Sequence, residues 1–127
     1  MLTLDDARRM IDAAKAAARE NGWNVVIAVV DDGGHLIALE RMDNTQKGSV
    51  VVAQERARTA ILYKRPTKAL EDAVLGGRSV MMTLPGAVCL EGGVPLLRGD
   101  AWLGAIGVSG VQSFQDGIVA AAGAAVL

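Results

Sequence analysis

The first part of the chain repeats its hydrophobic residues at the spacing of a helix that buries one face. Thr3 with Asp6 three residues later forms a capping-box pattern at its start, and Asn21-Gly22 is typical of a helix end. Polar residues occupy the other face. The pattern predicts a helix over residues 4–21, whose buried positions are Ala7, Met10, Ile11, Ala14 and Ala18.

A β-hairpin is predicted next. The segment Trp23–Asp31, WNVVIAVVD, is short and rich in β-branched residues, which favours a strand. Asp32-Gly33-Gly34 has the composition of a tight turn. The segment His35–Glu40, HLIALE, then returns as the second strand, and residues 41–48 are polar and loop-like.

Two helices are predicted in the middle of the chain. Ser49 is placed to cap a helix over residues 50–64, which the next proline ends. Thr67 with Glu71 would cap a second, shorter helix that a pair of glycines ends. The segment that follows, residues 79–86, fits either a helix or a strand.

The C-terminal third predicts a second hairpin and a last helix. Residues 87–110 fit two or three short strands, with Arg98–Asp100 as a turn. Ser113 with Asp116 forms another capping-box pattern before the apolar run DGIVAAAGAAVL. The order α-β-β-α-α-β-β-α predicts one α/β (α+β) domain over residues 1–127, an antiparallel sheet flanked by helices.

Composition narrows the class of partner. The 127 residues carry a net charge of −1 and 3% aromatic residues, so we expect no nucleic-acid-binding stripe or base-stacking platform. No stretch of about 18 apolar residues is present, and charges interrupt the place of a signal-peptide core. Cys89 is the single cysteine, which excludes an intrachain disulfide. We expect a cytoplasmic protein without membrane contact, and the 51% apolar content favours a homo-oligomer.

The segment GAIGVSGVQSFQD contains three glycines at every third position from Gly104. The spacing is not that of a Rossmann fingerprint, and no Gly-Lys-Ser/Thr follows as in a Walker A loop. One interpretation is structural, because small residues on a strand allow a helix or another backbone to approach closely. The other is that Gly107, Ser109 and Gly110 form a turn whose free backbone N–H groups bind an anion.

Three polar residues near the first hairpin are candidates for ligand contact. His35, the only histidine, could serve as a general base or as one axial ligand of a haem, or could simply be an exposed residue beside a turn. Arg41 could grip a carboxylate with Asp43 beside it, or the two could form a surface ion pair. One histidine and dispersed carboxylates predict no metal site.

Glu91-Gly92-Gly93 lies within the apolar segment CLEGGVPLL. A carboxylate between apolar runs can have a raised pKa and act as an acid or a base. Gly92 and Gly93 would let a ligand approach the backbone. The alternative is a charge at a strand end that reaches water, and neighbouring Cys89 is predicted to be a small buried residue.

Several of these segments, in this order, resemble the GlcG/HbpS-like family and the C-terminal part of PduO-type proteins. The resemblance covers nearly the whole chain and rests on the order of the segments more than on any one of them. They are DDGGHL, Arg41-Met42-Asp43, the A-x-x-R-A-x-T-A of Ala53–Ala60, Arg65-Pro66-Thr67, Gly92-Gly93-Val94-Pro95 and GAIGVSG with the following Gln-Asp.

The resemblance implies a profilin- or roadblock-like fold that assembles into dimers or larger rings, with haem as the ligand. It also implies a haem-ligating histidine in the first helix, and this chain has none there. Arg56 stands where the family usually has lysine, and Glu91 where proline is more usual. We therefore predict that no cofactor is required, although haem remains the ligand that the family implies.

Two functions follow. The first is a cytoplasmic, oligomeric small-ligand-binding protein with haem as the implied ligand. The second is a cofactor-independent enzyme that acts on a small organic acid by proton transfer, as an isomerase, a lyase or a hydrolytic dechlorinase of a muconate-type acid. In that reaction Arg41 would hold a carboxylate, the Gly107–Gly110 turn would donate N–H groups, and Glu91 or His35 would move the proton.

Overall fold

The computed structural model describes residues 1–127 and confirms the predicted element order. A short 3-10 helix, Ser79–Thr83, replaces the ambiguous segment after the third α-helix. None of the helices has the length and hydropathy that a membrane crossing needs. The elements are α1 Leu4–Glu20, β1 Val26–Asp31, β2 Leu36–Arg41, α2 Ser49–Leu62, α3 Thr67–Leu75, β3 Gly93–Arg98, β4 Ala101–Ser109 and α4 Ser113–Ala124.

The four strands form one antiparallel sheet in the order β2-β1-β4-β3. The two hairpins are therefore joined through β1 and β4, the central strands, and β2 and β3 are the edges. In register across the sheet, Val26 pairs with both Arg41 and Ser109, and Gly93 pairs with Gly107. This register brings the predicted ligand-binding residues to the same end of the sheet.

Helices cover both faces of the sheet. α1 and α4 bury the face that carries Ile27, Val29 and Ile106, and α2 lies on the opposite face over Ala28 and Val30. Alternate residues of the central strands therefore serve two separate cores. Nearly every residue of β1 is buried for that reason, in keeping with its continuous apolar run.

The close approach of α2 to β4 depends on glycine. A Cβ atom at Gly107 would lie 2.0 Å from the carbonyl oxygen of Ala53 and 2.6 Å from the backbone nitrogen of Ala57. At Gly104 a Cβ would meet the Val30 carbonyl oxygen at 2.1 Å. These contacts confirm the structural interpretation of the glycine series, since no side chain fits at either position.

Three of the predicted helix caps are wrong. Ser49 and Thr67 are the first residues of their helices, with Gly48 and Pro66 at the cap positions. Ser49 Oγ accepts the hydroxyl hydrogen of Ser109, and Thr67 Oγ1 accepts the Gly93 N–H. Both hydroxyls therefore connect a helix to the sheet and do not cap the helix. At α4 the cap is Gln112, whose N–H donates to Gln115 Oε1 at 3.2 Å, in place of Ser113 with Asp116.

Candidate functional site

Apart from His35, the predicted site residues lie at one end of the sheet but at opposite edges of it. Arg41 ends the edge strand β2, and Gly93 begins the other edge strand, β3. Three strand spacings separate these edges, or about 14 Å. No cavity of the chain is lined by both Arg41 and Glu91, so one protomer offers them as separate candidate sites.

Arg41 and Asp43 line a polar cavity of about 380 Å³ between α1 and the end of β2. Lys15 reaches Glu40 across it, with 2.6 Å between Nζ and Oε1. Arg41 makes no ion pair in the chain, so the predicted Arg41–Asp43 surface pair does not form. The remaining lining residues are Arg19, Asn24, Met42 and Asn44, so cationic and amide groups share this cavity with the carboxylates of Glu40 and Asp43.

Glu91 is half-buried in the loop before β3, where its carboxylate rests against α4. A Cβ at Gly117 would lie 2.5 Å from Glu91 Oε2, so the missing side chain of that glycine makes room for the carboxylate. The Glu91 N–H donates to Glu71 Oε1 at 3.2 Å. The Glu91 carboxylate is therefore half-buried beside α4, in the space that the missing side chain of Gly117 leaves.

Gly92 and Gly93 are packed against Arg56. A Cβ at Gly92 would lie 2.7 Å from the Val108 carbonyl oxygen and 2.8 Å from Arg56 Nη1. At Gly93 it would lie 2.2 Å from the Arg56 carbonyl oxygen. Gly92 also has φ +138°, a conformation that favours glycine. The chain's own atoms therefore fill the space that a ligand was expected to use at these two positions.

Arg56 and Asp116 form a buried ion pair that the sequence interpretation missed. Arg56 Nη1 donates to Asp116 Oδ2 and to the Val108 carbonyl oxygen, each at 2.7 Å. The Val111 N–H donates to the other oxygen of Asp116 at 3.1 Å. Burial raises the pKa of Asp116, and the hydrogen bonds from Arg56 and Val111 oppose that rise. The sequence did indicate a buried partner for Arg56, because this residue falls on the apolar face of α2, where an unpaired charge would be costly.

The turn after β4 has internal partners for the residues predicted to hold an anion. Ser109 is buried and donates its hydroxyl hydrogen to Ser49 Oγ at 3.0 Å. Gly107 lies beneath α2, and a Cβ at Gly110 would meet the Asn24 carbonyl oxygen at 2.5 Å. The Val111 N–H donates to Asp116 Oδ1. Anion binding at this turn stays a prediction.

His35 stands at the β1–β2 turn with its side chain 82% exposed. Its Nδ1 lies 3.3 Å from Asp31 Oδ1, which also accepts the backbone N–H groups of Gly33 and His35 at 2.9 Å. These hydrogen bonds lower the pKa of Asp31, with the His35 N–H the largest cause. The Asp31 carboxylate therefore lies beside the imidazole ring, and Nε2 of that ring makes no hydrogen bond in the chain.

The same turn borders a cleft of about 390 Å³ between α2 and β2. Arg58 packs along it, since a Cβ at Gly34 would lie 2.9 Å from Arg58 Cγ. Nowhere in the chain do three metal-ligating side chains come together, so the cleft does not resemble a metal site built from side chains alone. Its lining is Val30, Gly33, Gly34, His35, Leu36, Gln54, Glu55 and Arg58.

Known proteins resemble this chain over nearly its whole length. The sequence profile of the HbpS-like family, described as haem degrading protein HbpS-like, matches residues 2–125. Protein GlcG of Escherichia coli K12 is 46% identical over 109 residues, which is 86% of this chain and 81% of that protein.

Two solved structures extend the comparison. A double mutant of HbpS from Streptomyces reticuli superposes with a TM-score of 0.89 at 35% identity, over 99% of this chain and 86% of that one. The PduOC:Heme complex superposes with a TM-score of 0.88 at 28% identity, over 99% of this chain and 94% of that one. These agreements in sequence and fold confirm the resemblance, and the chain belongs to the HbpS-like family.

Proposed function

We propose that this chain is a small-ligand-binding protein whose ligand is haem, held at the β1–β2 turn. The supporting observation is its similarity, over 99% of its length, to a structure that is itself a haem complex. We also propose that it works as a cytoplasmic homo-oligomer, in which a neighbouring copy would cover the open side of the cleft.

The residues at the turn fit part of what haem needs. Haem iron is held by an axial side chain, most often histidine, and metal-bound histidines usually keep the other ring nitrogen against a carboxylate or carbonyl. His35 has this arrangement with Asp31. Arg58 supplies a cation for a propionate, and the exposed side chain of Leu36 supplies an apolar contact. By contrast, α1 contains no histidine at all.

Each residue then has a distinct task. His35 would hold the group through Nε2, Asp31 would fix the orientation of the His35 ring, and Arg58 would pair with a propionate. Haem, when bound, supplies an iron centre capable of redox chemistry and of binding a diatomic ligand.

A haem titration tests this proposal. Wild-type protein should shift the Soret band and saturate at one haem per site, and His35→Ala should lose the shift. Arg58→Ala should weaken binding about tenfold, the effect of losing one charged hydrogen bond. Exposed Arg8, replaced by alanine, is the matched control. An unchanged Soret shift in His35→Ala would exclude His35 as the ligand, and no shift in the wild type would exclude haem.

A second candidate function rests on Glu91. We propose that its carboxylate, set against Gly117 of α4, moves a proton in the isomerisation of a small organic acid, taking it from one carbon and returning it to another. The nearby cation Lys68, whose pKa is raised mainly by Asp72, adds positive charge to this edge. Elimination and hydrolytic dechlorination of a muconate-type acid use the same type of group.

Glu91→Gln tests the second candidate. Wild-type protein is screened by NMR against unsaturated C4–C6 carboxylic acids in D₂O, where proton exchange at carbon reports the reaction without a known product. The variant should lose the exchange with its fold intact, and Glu20→Gln on the exposed end of α1 should keep it. Exchange that persists in Glu91→Gln would remove this residue from the mechanism.

A further inference from the structure

The β1–β2 turn contains two adjacent glycines, and the backbone requires only the second of them. Gly34 has φ +80°, a conformation that favours glycine. Gly33 has a negative φ, which alanine also adopts, and it is exposed. The backbone conformation therefore gives no reason for a glycine at position 33.

The imidazole ring of His35 lies in the space beside Gly33. A Cβ atom at Gly33 would lie 2.9 Å from both Cε1 and Nδ1 of His35, and 3.5 Å from Asp31 Oδ1. The two ring contacts are well below the roughly 3.5–4.0 Å at which carbon atoms pack. Because the ring ends a flexible side chain that is 82% exposed, the ring would move and the backbone would not. Gly33 therefore makes room for the His35 ring.

This room lets the ring contact Asp31. His35 Nδ1 lies 3.3 Å from Asp31 Oδ1, the oxygen that also accepts the backbone N–H groups of Gly33 and His35 at 2.9 Å. In a neutral imidazole only one nitrogen carries a hydrogen, and the hydrogen bond of that nitrogen decides which one it is. A ring that donates Nδ1–H to Asp31 keeps an unprotonated Nε2, the form in which histidine binds a metal through that atom.

We propose that Gly33 is a positioning residue of the ligand site at this turn, because its missing side chain seats the His35 ring on Asp31 and keeps Nε2 unprotonated for the iron of haem. The ligand in this inference rests on the proposed function, which it extends to a residue that acts through His35. Gly34 makes room in the same way for Arg58, whose Cγ would lie 2.9 Å from an added Cβ. Since alanine at Gly34 would also be strained by the positive φ, Gly33 is the position to test.

The tautomer of His35 tests this inference in the protein without haem. His35 is the only histidine, so its ring resonances are identified without further assignment. Proton–nitrogen correlation spectra of the neutral ring should show mainly the Nδ1–H form in the wild type. Gly33→Ala should show mainly the Nε2–H form, which a free histidine side chain prefers. Gly48→Ala is the matched control, since nothing lies within 4 Å of its added atom, and it should keep the wild-type tautomer.

Haem titration then measures what the placement of the ring contributes to binding. Gly33→Ala should bind haem about tenfold more weakly, the effect of losing the outer partner of a metal-binding histidine, and Gly48→Ala should bind as the wild type does. Asp31→Asn should weaken binding in the wild type. The same substitution should add little to Gly33→Ala, because the ring has already left that carboxylate.

The inference and the proposed function fail in different ways. A ring that stays in the Nδ1–H form in Gly33→Ala would overturn the inference, and so would wild-type haem affinity once the ring has moved. Effects of Gly33→Ala and Asp31→Asn that simply add would also contradict it. All three results leave His35 as the ligand, whereas a Soret shift that persists in His35→Ala, or is absent from the wild type, refutes the proposed site and the role of Gly33 in it.

Discussion

The carboxylate of Asp6 carries a local stabilisation that depends on pH. Thr3 and Asp6 form the predicted capping box, with the Thr3 N–H donating to Asp6 Oδ2 at 3.1 Å and the Asp6 N–H to Thr3 Oγ1 at 3.0 Å. The Thr3 N–H, aided by Arg9, lowers the pKa of Asp6 from 3.8 to about 2. A lowered pKa in the folded state means that folding favours the ionised form.

This contribution is therefore complete above about pH 4 and is lost as the pH falls through about 2. Asp6→Asn has no proton to gain, so the stability difference between wild type and variant should shrink over that interval. Urea unfolding at several pH values between 6 and 2 measures it. A difference that stays constant with pH would show that Asp6 does not titrate as the capping contact requires.

Arg56 and Asp116 differ from the surface ion pairs because neither can be solvated alone. Both side chains are at least nine-tenths buried, and Arg56 Nε is buried without a partner. Arg56→Met would leave the carboxyl of Asp116 without its cation and should cost about 3–5 kcal/mol in free energy of unfolding. Lys68→Met, which breaks an exposed pair with Asp72, should cost less than about 1 kcal/mol. Equal losses in chemical denaturation would contradict the distinction.

At the scale of elements, the position of α2 is set by a single missing side chain. In Gly107→Ala the new Cβ would overlap the backbone of α2 at Ala53 and Ala57, so the helix must move from the sheet. We expect a loss of about 1–3 kcal/mol. Gly48→Ala is the control, since φ −58° suits alanine and nothing lies within 4 Å of the added atom. Similar unfolding midpoints for the two variants would show that α2 tolerates the displacement.

The elements themselves could be predicted from the sequence because their signals are local. The type of each element follows from local patterns such as the helical spacing in α1 and the β-branched residues in β1. Glycines mark where helices end, and the resulting order of elements is confirmed by the structure. The caps at Ser49, Thr67 and Ser113 were wrong because each side chain pattern was judged within its own segment. Ser109 and Gly93, the partners that use Ser49 and Thr67, lie far along the chain and become neighbours only in the fold.

At the scale of the whole molecule, the candidate site depends even more on which distant residues become neighbours in the fold. Sequence spacing could nominate Arg41 and Glu91 for one site, but strand order decides whether they meet. The hairpins join through β1 and β4, which sends β2 and β3 to opposite edges. The sequence interpretation did not single out Asp31 because its carboxylate comes beside the His35 ring only across the folded turn.

The outer surface of α4 carries the last prediction, self-association. Phe114 and Ile118 are 58% and 50% exposed and, four residues apart, share one face of the helix. Packing another copy on this face would remove the apolar surface of both side chains from water. Light scattering at micromolar concentration should give more than one protomer for the wild type and mostly monomer for Phe114→Lys. Lys in place of exposed Leu75 on α3 should leave the mass unchanged, and a monomeric wild type would refute the homo-oligomer.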